Sequence, residues 1–248
     1  MAVNGILKKI WNEAGLKGFV NFTRTNFFQS SYKEAGEMLI PQRGGIVLDG
    51  GCGGGGFFPE ILEKIKPGKI VAVDFSENLL EEAKKTAREL VNNDRLFEFP
   101  EAIDLTKTFP WSNNTFDTEI FNIVIEHFPP RKWKKTIREA FRTLKPGGYI
   151  YINTHLKGWE KEGISLITVL RFLEELRRSP ANALKALGFH LRIFLPRIRG
   201  LARKGVVSAP ERGEVLRFLQ QIGFTECYMT SGRHEYEVER IRARKPSL

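Results

Sequence analysis

Cysteine and long apolar runs are scarce in this chain of 248 residues. The two cysteines, Cys52 and Cys227, lie far apart and form neither a C-x-x-C pair nor a metal-ligand spacing. No stretch approaches the roughly 20 apolar residues that a membrane-spanning helix needs. The start, MAVNGILKKIWNEAG, lacks a continuous apolar segment and a small-residue cleavage site, so no secretory signal is predicted. We therefore expect a reduced, cytoplasmic protein without a metal site.

Positive charge is unevenly distributed along the chain. The net charge is +10, yet all five aspartates lie before residue 118, whereas the segment 157–204 contains eleven basic residues and four glutamates. Such a concentration of basic residues indicates an anionic partner and says nothing about the fold.

Short apolar runs alternate with amphipathic segments over most of the chain. The runs predicted to form strands are residues 45–51, 69–76, 96–104, 116–128, 149–156, 223–232 and 234–245. The segments predicted to form helices are residues 57–66, 77–91, 130–145 and 211–223, with Pro146-Gly147-Gly148 ending the third. Residues 158–209 break this order and predict two or three helices.

This alternation predicts an α/β fold with a doubly wound, mostly parallel seven-stranded sheet and an α-helical insert. The short link between the last two strands predicts an antiparallel hairpin at the edge of the sheet. Glu119 is unusual in the fourth strand, because a carboxylate buried without a partner is costly. Either Glu119 is paired, or the fourth strand is less covered than its neighbours.

The segment VLDGGCGGGGF, residues 47–57, predicts a cofactor loop after the first strand. Gly51, Gly53 and Gly56 match G-x-G-x-x-G, which alone is a weak signal. The loop lacks the Gly-Lys-Ser/Thr of a nucleotide-hydrolysing phosphate loop. A nicotinamide site would use a similar turn, with Asp74 on a ribose. Asp49 favours a cofactor that carries an ammonium group.

Four motifs in order resemble the class I S-adenosylmethionine-dependent methyltransferases. The glycine loop is similar to their Asp-x-Gly-x-Gly-x-Gly, residues 104–128 are similar to their third and fourth strand region, and AFRTLKPGGYIYI is similar to their entry into the fifth strand. The resemblance covers residues 44–156 and 211–245. It implies a cofactor domain of residues 44–157 and 210–248, an N-terminal helical lid of residues 1–43 and a basic helical cap of residues 158–209.

The resemblance also implies which residues contact S-adenosylmethionine. Asp74 would accept hydrogen bonds from both ribose hydroxyls, Asp104 would accept from the adenine amine, and Asn122 would border the methionine moiety and the acceptor. The full set of implied cofactor contacts is Tyr32, Asp49, Gly51, Cys52, Gly53, Gly55, Asp74, Phe75, Asp104, Leu105 and Asn122.

Several of these residues have a purely structural alternative. Asp49 and Asp74 each precede a predicted helix and could cap it. Phe75 and Leu105 could be core residues, and Cys52 could contribute only its backbone.

Methyl transfer depends on holding the acceptor atom in line with the methyl carbon and the sulfur, and it needs no covalent intermediate with the protein. A general base is required only when the acceptor atom is a poor nucleophile. His127 is the candidate base, because an unperturbed histidine has a pKa near ~6.5. The alternative is that His127 only shapes the pocket. His155, after the fifth strand, is a weaker candidate.

The acceptor is less well defined by the sequence. The Asn/Asp-Pro-Pro-Tyr/Phe signature of nucleobase methylation is missing, so a nucleic acid is a less favoured partner. Residues 184–205 carry leucines on one side and basic residues such as Arg197, Arg199 and Arg203 on the flanks, which is typical of a helix on an anionic membrane or of a core helix with a basic back.

Three hypotheses therefore stand. The first is a methyltransferase for a small-molecule or lipid-like acceptor, with peripheral contact to a membrane. The second is an RNA or protein methyltransferase, and the third is a cofactor-binding regulatory protein without turnover.

Overall fold

The computed structural model describes Val20, Thr23 and residues 25–40, 42–92, 95–159, 166–189, 199–233 and 237–247. The helices are α1 (Asn26–Gly36), α2 (Phe58–Lys64), α3 (Glu77–Leu90), α4 (Lys132–Thr143), α5 (Leu166–Arg178), α6 (Pro180–Phe189), α7 (Arg199–Arg203) and α8 (Glu214–Gln221). The strands are β1 (Ile46–Gly50), β2 (Lys69–Val73), β3 (Phe97–Glu98), β4 (Phe116–Asn122), β5 (Leu144–His155), β6 (Thr225–Arg233) and β7 (Glu237–Arg244).

The described strands form one seven-stranded sheet in the order β3-β2-β1-β4-β5-β7-β6. The first five strands pair in parallel, and β7 pairs antiparallel with both β5 and β6. The predicted α/β class, the mostly parallel sheet and the C-terminal hairpin are therefore confirmed.

Helices cover both faces of the sheet because the apolar residues of each strand alternate between two cores. One core joins α4 and α8 to the sheet through residues such as Trp133, Ile137 and Phe218. The other joins α1, α2 and α3 through residues such as Tyr32 and Phe58. This second face carries the glycine loop.

Two predicted strands are too long. The third was predicted over residues 96–104, but only Phe97–Glu98 pair, since Pro100 has no N–H for a ladder. The fourth was predicted to reach residue 128, but β4 ends at Asn122. Ile123 has φ of 57°, a left-handed conformation that ends the strand before a 3₁₀ turn over Ile125–His127.

The prediction that Pro146-Gly147-Gly148 ends the helix of residues 130–145 is wrong. Helix α4 ends at Thr143, and the Pro-Gly-Gly segment lies inside β5. The physical reason is pairing, because Leu144 is extended and aligns with Phe116 of β4.

Glu119 is paired through one of its oxygens, and β4 is buried from Thr118 to Phe121. The side chain has 0% exposure, and its Oε1 accepts a hydrogen bond of 2.7 Å from Thr143 Oγ1. Its Oε2 has no partner among the described residues. Burial raises the pKa of Glu119 well above its usual value, despite the bond from Thr143. A raised pKa favours the neutral acid, which is the form that costs less to bury.

The described part of the insert is helical. Helix α5 contacts both α6 and α1, so the insert lies beside the N-terminal helix. Leu173 and Leu184 are 47% and 60% exposed. Arg199, predicted on an exposed basic flank, is instead 6% exposed and donates to the Trp159 carbonyl at 3.2 Å. Arg197 and the rest of residues 190–198 lie outside the described residues. No helix in the described ranges is long and apolar enough to cross a bilayer.

Candidate active site

The glycine loop leaves β1 in a turn that only glycine adopts without strain. Gly51, Gly53 and Gly55 have φ of 79°, 55° and 79°. The N–H groups of Gly51 and Cys52 donate to the Val73 carbonyl at 2.7 and 2.9 Å, which ties the loop to the end of β2. A Cβ at Gly51 would lie 2.6 Å from the Val124 side chain. The loop therefore presents bare backbone at the carboxyl ends of the strands, where α/β sheets bind ligands.

Asp74 follows β2 and is 6% exposed. Its Oδ2 accepts from Gly53 N at 3.0 Å, and its Oδ1 accepts from Ser76 N at 2.9 Å. Ser76 caps helix α3 by accepting from Leu79 N, so the capping alternative for Asp74 does not hold. Burial raises the pKa of Asp74 to about 6, although backbone hydrogen bonds oppose this rise.

Asp49 is a buried acidic residue close to the glycine loop. It lies one residue before the end of β1, not at its last position, and it is 2% exposed. Its Oδ2 has no hydrogen-bond partner among the described residues. Burial and the nearby Asp74 carboxylate raise its pKa to about 7. Helix α2 has Phe57 at its N-cap, so Asp49 is not a helix cap.

The charge of Asp49 also affects the pKa values of two neighbouring polar groups. Burial raises the pKa of the Tyr32 hydroxyl, and the Asp49 charge adds to this shift. Burial and the charges of Asp49 and Asp74 raise the pKa of the Cys52 thiol. Cys52 therefore stays a neutral thiol, and an ammonium group would relieve the concentration of negative charge here.

Tyr32 brings helix α1 onto the glycine loop. It is 8% exposed and contacts Phe28 edge-to-face, with ring centroids 5.0 Å apart. A Cβ at Gly56 would lie 2.8 Å from the Tyr32 hydroxyl oxygen. The structure thus places Tyr32 beside the glycine loop, which was predicted to contact the same cofactor.

The segment predicted to flank adenine lies next to Asp74. Ile103 N donates to the Asp74 carbonyl at 3.0 Å. Asp104 Oδ1 accepts from Thr106 N at 3.0 Å and from its hydroxyl at 2.6 Å. Phe75 is half-buried, whereas Leu105 is 4% exposed and belongs to the core, in line with its structural alternative.

Asn122 lies at the end of β4, in register with Asn153 of β5. Asn153 Nδ2 donates to Asn122 Oδ1 at 2.8 Å. The two amides border a narrow cleft between α1 and the sheet, with a volume of about 10 Å³, which is room for about one water molecule. Its lining residues are Ala35, Met38, Leu39, Phe57, Ile120, Phe121, Asn122, Tyr151, Ile152, Asn153, Arg240 and Ile241.

His127 lies in the 3₁₀ turn beyond β4, with its ring edge-to-face on Trp159 at 6.3 Å. Burial lowers its pKa, opposed by the Glu126 charge and reinforced by His155. A lowered pKa keeps His127 neutral at pH 7, which is the form that accepts a proton.

A buried pair of Glu126 and His155 was not predicted from the sequence. The Nδ1 of His155 lies 2.9 Å from Glu126 Oε1, and Glu126 has 0% exposure. Burial would raise the pKa of Glu126, but the bond to His155 and the charges of His127 and His155 lower it overall. The position of Glu126 before His127 is the only signal the sequence offered, because the pairing depends on β4 and β5 being neighbours.

Comparisons with known proteins agree with this geometry. Residues 47–148 match a family model described as a methyltransferase domain. A demethylmenaquinone methyltransferase of Oceanobacillus iheyensis is 25% identical over 150 residues, 60% of this chain and 59% of the relative. One of Lactococcus lactis is 32% identical over 105 residues, 42% of this chain and 39% of the relative. The chain thus matches about two fifths to three fifths of the length of these relatives.

The fold is similar to that of the magnesium protoporphyrin IX methyltransferase of Synechocystis with bound S-adenosylhomocysteine. The TM-score is 0.64 at 17% identity, with 98% of this chain and 99% of the other covered. The sheet order and the glycine loop define a Rossmann-like cofactor-binding protein. Residues 47–148 are thus similar to methyltransferase domains, and the fold is that of the class I S-adenosylmethionine-dependent methyltransferases.

The residues at the loop fit the cofactor of this family. The unpartnered Asp49 Oδ2 suits an ammonium group, and the bare loop backbone leaves room for a close ligand. The individual contacts of Tyr32, Asp74, Asp104 and Asn122 with the cofactor stay predictions.

We expect S-adenosylhomocysteine to bind more tightly as the pH is raised through 6 and 7. The pKa values of Asp74 and Asp49 are about 6 and about 7, and both groups must be ionised to hold ribose hydroxyls and an ammonium. Binding should therefore release protons at pH 6 and almost none at pH 8. Calorimetry in two buffers of different ionisation enthalpy measures this release.

The raised pKa values of Asp49 and Asp74 have the opposite effect on the free energy of unfolding, which decreases as the pH rises. The folded state holds these protons more tightly, so their contribution to the free energy of unfolding is complete below about pH 4 and lost as the pH rises through 7. Asp49→Asn should flatten this loss and reduce proton release on binding. A wild-type affinity that is constant between about pH 5.5 and 8 would contradict the assignment.

Proposed function

We propose that this protein transfers a methyl group from S-adenosylmethionine to a small-molecule acceptor that has an apolar body. The observation that carries the proposal is the buried Asp49 carboxylate beside the bare backbone of the glycine loop, because its Oδ2 has no hydrogen-bond partner among the described residues. The named relatives act on demethylmenaquinone and magnesium protoporphyrin IX, which supports a small-molecule acceptor.

When bound, S-adenosylmethionine supplies a methyl group on a positively charged sulfur. The residues of the chain then have positioning roles. Asp49 holds the ammonium group, Asp74 holds the ribose, and the loop backbone from Gly51 to Gly55 lies against the ligand. In-line alignment of the acceptor atom with the methyl carbon can lower the barrier by roughly 7 to 11 kcal/mol in favourable cases.

His127 is the proposed base. As the bond from the acceptor atom to the methyl carbon forms and the carbon–sulfur bond breaks, an oxygen or nitrogen acceptor must lose its proton. A neutral imidazole at the carboxyl end of β4 accepts that proton, and its lowered pKa keeps it ready to do so at neutral pH.

Helices α5 and α6 are proposed to touch an anionic membrane surface. Leu173 and Leu184 are exposed, and Arg177 and Arg178 are exposed at the end of α5. Exposed leucines beside arginines are typical of helices that lie in an anionic lipid interface. This placement would bring a lipid-like acceptor to the insert, which contacts α1 and so adjoins the cleft.

S-Adenosylhomocysteine should raise the melting temperature, and NADH and ATP at the same concentration should not. At 100 times the Kd, binding stabilises the folded state by about 2.7 kcal/mol, which corresponds to roughly 5 to 11 °C for a chain of this size. A larger shift with NADH would favour a nicotinamide cofactor instead.

Transfer of labelled methyl groups identifies the acceptor class. After incubation with a cell extract and methyl-labelled S-adenosylmethionine, the label should partition into the organic phase. Label that stays with RNA or protein would support the macromolecular alternative, and absence of transfer despite cofactor binding would support the regulatory one.

A further inference from the structure

Three ionisable side chains lie together where β4 and β5 end, and the proposed methyl transfer uses only one of them, His127. Glu126 and His127 lie in the 3₁₀ turn beyond β4, and His155 is the last residue of β5. The turn adjoins the glycine loop, because Val124 at its start is the residue that a Cβ at Gly51 would meet. The three groups are therefore close to the loop at which the cofactor is proposed to bind.

Glu126 is buried and is nevertheless held as a carboxylate. It has 0% exposure, and its two oxygens face polar groups of β5. Thr154 Oγ1 lies 3.2 Å from Oε2, the backbone N–H of His155 donates to Oε1 at 3.4 Å, and His155 Nδ1 lies 2.9 Å from Oε1. Burial alone would raise the pKa of Glu126, but the contact with His155 and the charges of His127 and His155 lower it overall.

An ionised Glu126 fixes the tautomer of His155. A carboxylate only accepts hydrogen bonds, so the Nδ1 atom of a neutral His155, 2.9 Å away, carries the ring proton. The Trp159 ring stacks on this imidazole with centroids 5.4 Å apart and is itself 1% exposed, which restricts rotation of the His155 ring. His155 therefore holds the Glu126 carboxylate in place.

The charged and titratable groups that act on His127 are Glu126 of its own turn and His155 of β5. On the side of the insert, His127 meets the Trp159 ring edge-to-face, and the Trp159 carbonyl accepts from Arg199. Burial lowers the pKa of His127, the charge of Glu126 opposes this shift, and His155 adds to it. Glu126 is thus the group that favours a positive charge on His127.

His127 acquires such a charge in the proposed reaction. The acceptor oxygen or nitrogen bonds to the methyl carbon, the electron pair of the carbon–sulfur bond stays on sulfur, and the acceptor proton passes to His127. The positive charge that was on sulfur before the transfer is then on the imidazole. A fixed charge of opposite sign is most effective when it lies where the new charge develops and water is excluded. The buried carboxylate of Glu126, in the adjacent residue, meets both conditions.

We propose that Glu126 is a positioning residue that acts through His127, a proposal that rests on the methyltransferase function and on His127 as the base. The Glu126 carboxylate, held by His155 and Thr154, stabilises the imidazolium that forms on His127 as the methyl group is transferred. His155 is a second positioning residue, which acts through Glu126.

Titration of the histidine rings tests this role without an acceptor. The protein is labelled with ¹⁵N in its histidines and saturated with S-adenosylhomocysteine, and the ring nitrogens are followed by NMR between about pH 4.5 and 8.5. In the wild type, neutral His155 should be the Nδ1–H tautomer. In Glu126→Gln, His127 should hold its proton roughly tenfold more weakly, so that its titration midpoint lies about one pH unit lower.

The rate of methyl transfer should change together with this titration. With the organic-soluble fraction of a cell extract as the acceptor, Glu126→Gln should transfer methyl groups at least roughly tenfold more slowly on the pH-independent plateau. The acidic limb of the rate should also move to lower pH, which a general loss of structure would not cause. Glu126→Asp keeps the charge on a shorter side chain and should recover part of the rate.

Glu119→Gln is the matched control. Glu119 is also a fully buried acid, and it too accepts a hydrogen bond from a threonine, Thr143. It lies within β4, whereas the charges that act on His127 come from Glu126 and His155. Glu119→Gln should therefore leave the His127 midpoint and the pH profile of the rate unchanged.

An unchanged His127 midpoint in Glu126→Gln, an equal change in Glu119→Gln, or a wild-type rate and pH profile in Glu126→Gln would overturn the role of Glu126. If Glu126→Gln does not fold, the wild type decides. An Nε2–H tautomer of His155, or a Glu126 carboxyl that its ¹³C shift shows to be protonated at neutral pH, overturns the proposal, and the opposite results support it.

These outcomes leave the methyltransferase function intact as long as the wild type binds S-adenosylhomocysteine and transfers methyl groups. Loss of either in the wild type would instead overturn the function and, with it, the role of Glu126 in proton transfer.

Discussion

S-Adenosylhomocysteine should bind at least a hundredfold more weakly when Asp74 is replaced by alanine. In the proposed complex Asp74 accepts hydrogen bonds from two ribose hydroxyls, and a bond to a charged group is worth about 1.5 to 3 kcal/mol. Loss of two such bonds exceeds the ~2.8 kcal/mol that corresponds to a factor of one hundred. The change also removes the acceptor for Gly53 N, which orders the glycine loop. Calorimetry at pH 8, where Asp74 is ionised, measures the effect.

Two further variants make this result specific. Asp74→Asn keeps one acceptor oxygen without the charge, so its affinity should lie between those of the wild type and Asp74→Ala. Glu98→Ala removes an exposed carboxylate from the neighbouring strand β3 and should leave the affinity unchanged. Unchanged affinity in Asp74→Ala would remove Asp74 from the cofactor site.

The wild-type protein should sediment with anionic vesicles at low salt, and reversal of Arg177 and Arg178 to glutamate should weaken this binding more than tenfold. Each basic residue near an anionic surface contributes about 1 kcal/mol, and each glutamate adds repulsion. Replacement of the exposed Leu173 and Leu184 by asparagine should weaken binding further, because their apolar area no longer enters the interface. Cofactor affinity should be unchanged in all of these variants.

The matched control is the replacement of Lys85 and Arg88 on helix α3 by glutamate. Both residues are exposed, and the change in net charge is the same, but they lie outside the insert. Equal loss in this control would mean that net charge alone drives binding. The membrane proposal fails if the wild type stays in the supernatant at low salt, where attraction is least screened. Displacement from vesicles by RNA at a low concentration would instead favour a polyanion as the partner.

The sequence predicted those features that depend on short stretches of chain. Alternating runs placed all seven strands of the described sheet. The loop motif selected Asp49 and the end of the second strand selected Asp74, and the structure brings these two residues together. Errors arose where distant pairing decides the outcome. The extended conformation of Leu144 depends on Phe116, 28 residues earlier in the chain, so Pro146 was a misleading stop signal.

The cleft residues show the same limit. In the sequence, Arg240 is one of several arginines in a predicted strand, and nothing distinguishes it from the others. Its position in the cleft depends on its register with Asn153 across the antiparallel pair of β5 and β7. Arg199 resembles a surface cation in the sequence, but it is buried and donates to the carbonyl of Trp159, which lies 40 residues earlier in the chain. Neither contact follows from local periodicity.

Helix α1 and the residues that follow it join the glycine loop to the cleft. Tyr32 lies on the glycine loop, whereas Met38 lines the cleft and Glu34 bonds to Arg240. Beyond the end of the helix, Ile40 N donates to the Tyr151 hydroxyl at 2.8 Å, which fixes this segment to the sheet. A ligand that repositions this helix at one site therefore alters the contacts at the other. Such coupling is reciprocal, so any factor by which the cofactor changes the affinity for the acceptor must equal the factor by which the acceptor changes the affinity for the cofactor.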